Sequence, residues 1–443
     1  MVAFIARRDF CIVLVKHEMT AVMSKFIQDV NKAMVALHNV FAETPLQRND
    51  FLSQKYDAEI YLKREDLTPV RSYKIRGAFN FVSEMLGKIS QDAAFVCASA
   101  GNHAQGVSFV CRYFKRKGVI FMPVTTPQQK IDKTRVFGKE FIDIRLIGET
   151  FDQCYAAAQS FATESGGVMA PPFDDVRIIT GQATVLCEIV LQWKKLNGES
   201  EPDLILVPVG GGGLASGVSK FLREYGWKTE LRFVEPQRAA SLLACLKSGK
   251  RVKLENIDTF VDGAAVAEIG ALNYAMLKKF LPDSVITVPE NRVCSTMVEM
   301  LNVEGVVLEP AGALSIDALN SISPQELKGK RILLVISGGN FDFERLPDIK
   351  ERSLRFQGLR KYFIFSFPQH PGALRSFLDQ LSPDDDIVRF EYLKKSSRSF
   401  GSVLIAIETK KYDNFCLLEE KFQALGWRYR DITDDQTLFD FVI

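Results

Sequence analysis

Three observations predict an α/β protein carrying a smaller α+β domain behind it. From about residue 50 to 345, apolar strand-like runs alternate with stretches whose apolar residues recur at helical spacing. Near-continuous apolar strands are buried on both faces, which means a parallel, helix-covered sheet. Four consecutive glycines, Gly210 to Gly213, separate one such run from the next helix. Beyond residue 360 the order becomes strand, helix, strand, strand, helix, strand within fewer than 90 residues, which is the ferredoxin-like motif.

The chain opens with a basic and then apolar stretch. Arg7-Arg8 and the apolar Phe10–Val15 resemble a signal peptide, but Lys16-His17-Glu18 close the run and no small-residue cleavage site follows. Residues 1–25 therefore read as an extension, a disordered tail or an overextended start, with Met19 and Met23 as alternative starts. Strands are expected at Glu59–Leu62, Ala94–Cys97, Val119–Met122, Phe141–Ile144, Leu204–Val209, Leu231–Val234, Val285–Val288 and Arg331–Ile336. Helices fall between them over Asn102–Arg116, Phe151–Thr163, Ala183–Trp193 and Arg292–Leu301. After the charged stretch Asp342–Arg360, Tyr362–Phe367, Ile387–Tyr392, Ser402–Glu408 and Trp427–Asp431 read as strands, and Gly372–Leu381 and Tyr412–Leu425 as helices. Pro371-Gly372 opens the first of these helices, where free N–H groups could meet a carboxylate.

Composition excludes several classes. At 443 residues the chain is long enough for two or three domains, and 47% hydrophobic with 25% charged residues is ordinary globular composition. A net charge of +2 argues against nucleic acid or a membrane surface as partner. No run reaches the length of a membrane helix. The eight cysteines, Cys11, Cys97, Cys111, Cys154, Cys187, Cys245, Cys294 and Cys416, form no C-x-x-C, and none of the four histidines is paired at ligand spacing. They read as small buried hydrophobes in a reducing, cytoplasmic compartment, with no metal centre.

The glycine run is where chemistry enters. Glycine costs roughly 0.5–1 kcal/mol per residue in a regular element, so four in a row mark a place where backbone N–H groups must come close to something. A phosphate at a helix N-terminus is the usual occupant. No Gly-Lys-Ser/Thr follows, which excludes a triphosphate P-loop. Gly210-x-Gly212-x-x-Ala215 does satisfy the dinucleotide fingerprint, with Glu235 ending the next strand, so a nicotinamide or flavin enzyme stays in play at this stage.

Three further segments sit at strand ends or helix starts. Ser72-Tyr-Lys-Ile-Arg-Gly-Ala78 begins a helix after Lys63-Arg-Glu-Asp-Leu-Thr-Pro69. Ser99-Ala-Gly-Asn-His103 supplies a second ring of backbone donors, and Ser337-Gly-Gly-Asn340 ends the strand Arg331–Ile336. Ligands of open α/β sheets bind at that edge. A lysine opening a helix has its amine pKa lowered by the positive helix end and by burial, which suits it to bond an aldehyde.

Taken in order, Ser72–Ala78, Ser99–Gly106, Pro208–Leu214, Asp262–Val266, Glu309–Ala313 and Ser337–Asn340 resemble the threonine dehydratases (threonine ammonia-lyases) of the fold-type-II pyridoxal-phosphate enzymes. The resemblance covers roughly residues 27 to 443, because the C-terminal part resembles the single ACT-like domain of the short biosynthetic form. It implies a tryptophan synthase β-like catalytic domain of two sheet subdomains over residues 26–350, with a small subdomain of about 75–165 inserted, and an ACT-like domain over 355–443. Pyridoxal 5'-phosphate is the implied cofactor. Lys74 would be its Schiff-base lysine, Tyr73 would pack near its ring where the family often has Phe, and Asn102 would bond its phenolic oxygen. Ser99, Ala100, Gly101, Asn102 and His103 would cradle the substrate carboxylate. Gly210, Gly211, Gly212, Gly213 and Leu214 would hold the phosphate, and Ser337 would face the pyridine nitrogen. A neutral serine does not keep that nitrogen protonated, which favours elimination over transamination.

Implied by the same resemblance are L-threonine as substrate with L-serine secondary, isoleucine as allosteric effector, and a homotetramer. Two features depart from the pattern. After Glu235-Pro the chain offers no further acid through Ser241, so no essential metal is expected; and Pro171-Pro172-Phe-Asp174 replaces a His-Pro-Phe-Asp version. A serine-preferring dehydratase or racemase would share all six motifs. A nicotinamide dehydrogenase would leave Lys74, Asn102 and Ser337 without a purpose.

Overall fold

The structure, a computed structural model, describes residues 24–393 and 400–435. The expectations for residues 1–23, including Cys11, lie outside the described residues. The chain divides into two compact units: one runs to Glu290 and takes up again over Met300–Asp342, the other comprises Asn291–Glu299 and everything from Phe343.

The first described helix, Lys25–Leu37, starts where Ser24 accepts a hydrogen bond from the Ile27 amide. It buries Phe26, Ile27, Val30, Met34 and Leu37 on one stripe. The strands of this unit are β1 (Leu46–Arg48), β2 (Glu59–Arg64), β3 (Phe95–Ala98), β4 (Gly118–Met122), β5 (Ile142–Leu146), β6 (Val168–Met169), β7 (Leu204–Pro208), β8 (Glu230–Pro236), β9 (Val285–Val288) and β10 (Arg331–Ile336). They form a six-stranded sheet, β1-β2-β10-β7-β8-β9, and a four-stranded one, β5-β4-β3-β6. All pairs are parallel except β1 with β2, so the larger sheet is mixed. Every strand expected from the sequence is present within two residues. β1 and β6 were not expected, being three and two residues long, too short to show a period. β6 joins the smaller sheet through Val168 and Met169.

The helix expected at Ala183–Trp193 is the middle of a longer one, Val176–Asn197, capped by the Asp175 side chain. It packs along helix Lys74–Met85, and Gly181 permits the approach: a Cβ there would fall 2.5 Å from the Arg76 carbonyl oxygen. No described helix is long and apolar enough to cross a membrane.

The second unit pairs β11 (Arg360–Pro368), β12 (Asp385–Leu393), β13 (Phe400–Thr409) and β14 (Arg428–Asp431) in the antiparallel order β12-β13-β11-β14. With helices Ala373–Leu378 and Asp413–Ala424 this is the βαββαβ arrangement the sequence predicts. Its core is aromatic: Phe363, Phe365, Phe367, Phe377, Phe415 and Phe422, with Trp427 and Tyr429 packed against them. The compact unit also takes in helix Leu346–Phe356, whose Ser353 bonds Ser295 at 3.1 Å. The helix after Pro371 is only six residues long. Six of the cysteines are buried as expected, but Cys416 is exposed.

Candidate active site

The larger sheet delivers two of its strand ends to one place. β7 runs out at Pro208, and Gly210 to Gly213 turn into helix Gly213–Tyr225. Gly212 has φ +92°, a conformation that suits glycine. Gly211 is required for a different reason: a Cβ there would stand 2.1 Å from the Phe173 ring. Part of the glycine run is therefore demanded by the protein's own packing. The loop is pinned from behind, because the Gly211 carbonyl accepts from the Gly270 amide and from Asn273 Nδ2. The N–H groups of Gly211, Gly212, Gly213 and Leu214 have no protein acceptor among the described residues. That is a set of donors at a helix N-terminus built for an anion such as a phosphate.

β10 ends at Ile336, and the segment after it pairs with the segment before Lys74. The Tyr73 amide donates to the Ser337 carbonyl at 3.1 Å, Ser72 bridges Gly338, and the Gly339 amide donates to the Arg71 carbonyl at 2.9 Å. Lys74 is thus the first residue of helix Lys74–Met85, held beside Ser337 by backbone bonds. Its Nζ donates to the Pro172 carbonyl at 3.1 Å and lies 5.4 Å from the Tyr73 ring centre. Burial pushes the amine down to about 8, with the Glu309 carboxyl pulling the other way. The Ser337 hydroxyl, buried, donates to the Ala311 carbonyl at 3.1 Å. A hydroxyl hydrogen rotates, so the same proton is available to a ligand acceptor.

The smaller sheet contributes the third loop. β3 ends at Ala98, and helix Asn102–Tyr113 starts four residues on. The Ser99 amide is taken by the Phe121 carbonyl, and the Gly101 amide by Ser99 Oγ. Of the expected cradle, the N–H groups of Ala100, Asn102 and His103 have no protein acceptor among the described residues. His103 turns its ring away: Nε2 meets the Ala170 carbonyl at 2.8 Å, and burial drives the imidazole down to about 3, leaving it neutral. Its contribution here is its backbone.

Several residues of this site carried no role in the sequence reading. Pro172 receives the Lys74 amine through its backbone carbonyl, and Phe173 covers the glycine loop. Asp174 accepts from the Ala271 and Leu272 amides, both at 2.9 Å, capping helix Ala271–Leu277 behind that loop. The Asp in Pro171-Pro172-Phe-Asp174 was legible as a helix-capping type; its target nearly 100 residues away was not. Asn102 Nδ2 donates to Glu309 Oε1 at 2.7 Å, and Asn340 Nδ2 to Asn102 Oδ1 at 2.7 Å. Burial, with Asp262 nearby, pushes the Glu309 carboxyl up to about 8. Glu235, the acid of the dinucleotide fingerprint, spends its carboxylate on the Leu242 and Leu243 amides at 2.8 and 2.9 Å, capping helix Ser241–Ser248. A ribose would find both oxygens committed.

Behind Lys74 lies a closed ion network. Arg76 Nε and Nη2 donate to Glu65 at 2.6 and 2.8 Å, and Nη1 and Nη2 to Glu188 at 2.8 and 2.9 Å. Lys63 Nζ completes it on Glu188 at 2.7 Å, and all four side chains are buried.

Lysine amine, two sets of orphan backbone donors and a neutral hydroxyl match what a phosphate-bearing aldehyde needs. The sequence pattern of the pyridoxal-phosphate dependent enzymes matches residues 38–338, and that of the C-terminal regulatory domain of threonine dehydratase matches residues 351–442. The chain belongs to the biosynthetic threonine dehydratase family of pyridoxal-phosphate enzymes. It is 43% identical to the L-threonine dehydratase biosynthetic IlvA of Halalkalibacterium halodurans over 94% of this chain and 99% of that one. The protein of the same name from Bacillus subtilis is 44% identical over 94% of this chain and 97% of its own length. Among solved structures, the processed form of threonine deaminase isoform 2 from Solanum lycopersicum superimposes with a TM-score of 0.67 at 33% identity, covering 75% of this chain and 94% of that one. Pyridoxal phosphate is the cofactor of this family.

Proposed function

We propose that this protein is a cytoplasmic L-threonine ammonia-lyase that converts threonine to 2-oxobutanoate and ammonia, with serine as a secondary substrate. The observation that carries the proposal is the Lys74 amine, half-buried without a carboxylate hydrogen-bond partner at the start of a helix and flanked by loops of unpaired N–H groups. The family relationship supports threonine as the substrate and the first step of isoleucine biosynthesis as the setting.

Each residue then has a task. The N–H groups of Gly211 to Leu214 would hold the phosphate, with Gly210 giving the turn its room. Asn102 would serve the ring oxygen, Tyr73 the ring face, and Ser337 the ring nitrogen. The N–H groups at Ala100, Asn102 and His103 receive the substrate carboxylate. When bound, pyridoxal phosphate supplies the electron-accepting ring that weakens the substrate's Cα–H bond and lets the β-hydroxyl depart. Lys74 Nζ, unprotonated in a larger share than an ordinary lysine near neutral pH, takes the Cα proton. His103, held neutral, leaves no second positive charge to compete with it.

Formation of 2-oxo acid from threonine and from serine tests this reading directly. No 2-oxobutanoate from threonine by cofactor-loaded protein would sink it. A threonine over serine preference in kcat/KM of about 10- to 200-fold is the most that one methyl group can supply.

The second unit is proposed to bind isoleucine and lower activity, in a homotetramer. Inhibition requires isoleucine to favour a less active arrangement of the protein. Light scattering reads the oligomer; isoleucine leaving both activity and melting temperature unchanged would reject the regulatory assignment.

A further inference from the structure

Asn102, Asn340 and Glu309 form a chain of hydrogen bonds that has a direction. Val70 offers a backbone carbonyl, which can only accept, and Asn340 Nδ2 lies 2.8 Å from it. The same nitrogen lies 2.7 Å from Asn102 Oδ1. Turning the Asn340 amide over would set its oxygen against two acceptors. The orientation is kept although Asn340 Oδ1 is then buried without a partner among the described residues.

That choice propagates. Asn102 must offer its oxygen to Asn340, so its nitrogen meets Glu309 Oε1, which accepts whether or not the carboxyl is protonated. Glu309 reaches this point because residue 338 is glycine: a Cβ there would fall 2.1 Å from Oε1. One N–H of Asn102 is left uncommitted.

We propose that Asn340 and Glu309 are positioning residues that lock the Asn102 amide in the one orientation presenting an N–H, rather than the carbonyl, to the cofactor's ring oxygen. The proposal rests on the reading that Asn102 faces that oxygen. Asn102, at the start of its helix, is the one side chain from the smaller subdomain assigned to the ring, and without these partners nothing fixes which way its amide faces. Flipped, it would set oxygen against oxygen.

The test uses the full chain and measures cofactor affinity and the absorbance spectrum of the bound cofactor, with thermal unfolding to confirm that each variant folds. Asn340→Asp offers only oxygen to Val70 and Asn102 and drives the Asn102 amide over; cofactor Kd rises about ten-fold and the absorbance maximum moves. Asn340→Ser, a milder loss of the double donor, moves both readings in the same direction by less. Glu309→Gln keeps an acceptor oxygen and stays within about two-fold of the parent, whereas Glu309→Leu matches Asn102→Ala. If both Asn340 variants keep parental affinity and spectrum while Asn102→Ala weakens binding, the positioning role is overturned and the role of Asn102 stands. If Asn102→Ala itself changes nothing, the underlying reading fails and takes this one with it.

Discussion

Lys74 and Arg76 are two residues apart on one helix, Arg76 buried and Lys74 half-buried, and their environments differ in kind. Arg76 makes four bonds of 2.6–2.9 Å to two glutamates, and Lys63 balances the second of these, so two cations meet two anions. Lys74 has one bond, to a backbone carbonyl. The paired guanidinium is driven up, away from deprotonation, and the unpaired amine is driven down to about 8. Desolvation, which acts to lower both cations, therefore does not by itself decide what each is for. Pairing makes it structural, and its absence makes it reactive.

The largest effect that sharpens this contrast comes from Lys74→Ala. Turnover of threonine falls to the background rate and covalent capture of the cofactor disappears. Thermal unfolding of the cofactor-free protein stays at or above the parent's temperature, since a desolvated amine with no carboxylate partner has been removed. A marked drop in cofactor-free stability would mean that Lys74 is structural after all.

Glu188→Ala comes next and should behave in the opposite way. It leaves Arg76 and Lys63 sharing one glutamate, and unfolding in urea should show a loss of about 3–5 kcal/mol. Loss of activity would follow from loss of fold. A variant as stable as the parent would break the comparison.

The pH dependence of cofactor capture by cofactor-free protein is a smaller, graded effect. The neutral amine is the reactive form. Its fraction rises about ten-fold per unit as pH climbs toward 8 and levels off above it. An amine like that of an ordinary lysine would keep gaining well past pH 9. A capture rate still rising ten-fold per unit between pH 9 and 10 would contradict the lowered value.

The smallest effect is predicted for Pro172→Ala. The bond from Lys74 goes to the backbone carbonyl, which alanine retains, so kcat/KM should change by less than about two-fold. A larger loss would show that the proline ring, and not the carbonyl, sets the position of the lysine.

Much of the fold was legible because the signals are local. Buried parallel strands show as apolar runs, and the alternation of β11 to β14 with two helices appears in the order of their segments alone. The residues proposed to hold the cofactor stand out in the sequence as motifs at strand ends. Glu188 gave a weaker signal, a lone acid in an otherwise apolar helix, which marks a buried charge without naming its partner. The Asn102–Glu309 pair spans 207 residues, and no local pattern connects its members. The glycine run marks a phosphate cradle by its sequence, and the fold adds that Phe173 also requires Gly211 to be bare.

The sequence by itself determined the elements and the order of the loops, because periodicity, turns and helix starts are properties of neighbouring residues. It also named Lys74, through the segment around it. Only the tertiary structure decided that Lys74 goes unpaired while Arg76 is neutralised. A pKa depends on which charges and how much water surround a group, and those surroundings come from residues far away in the chain.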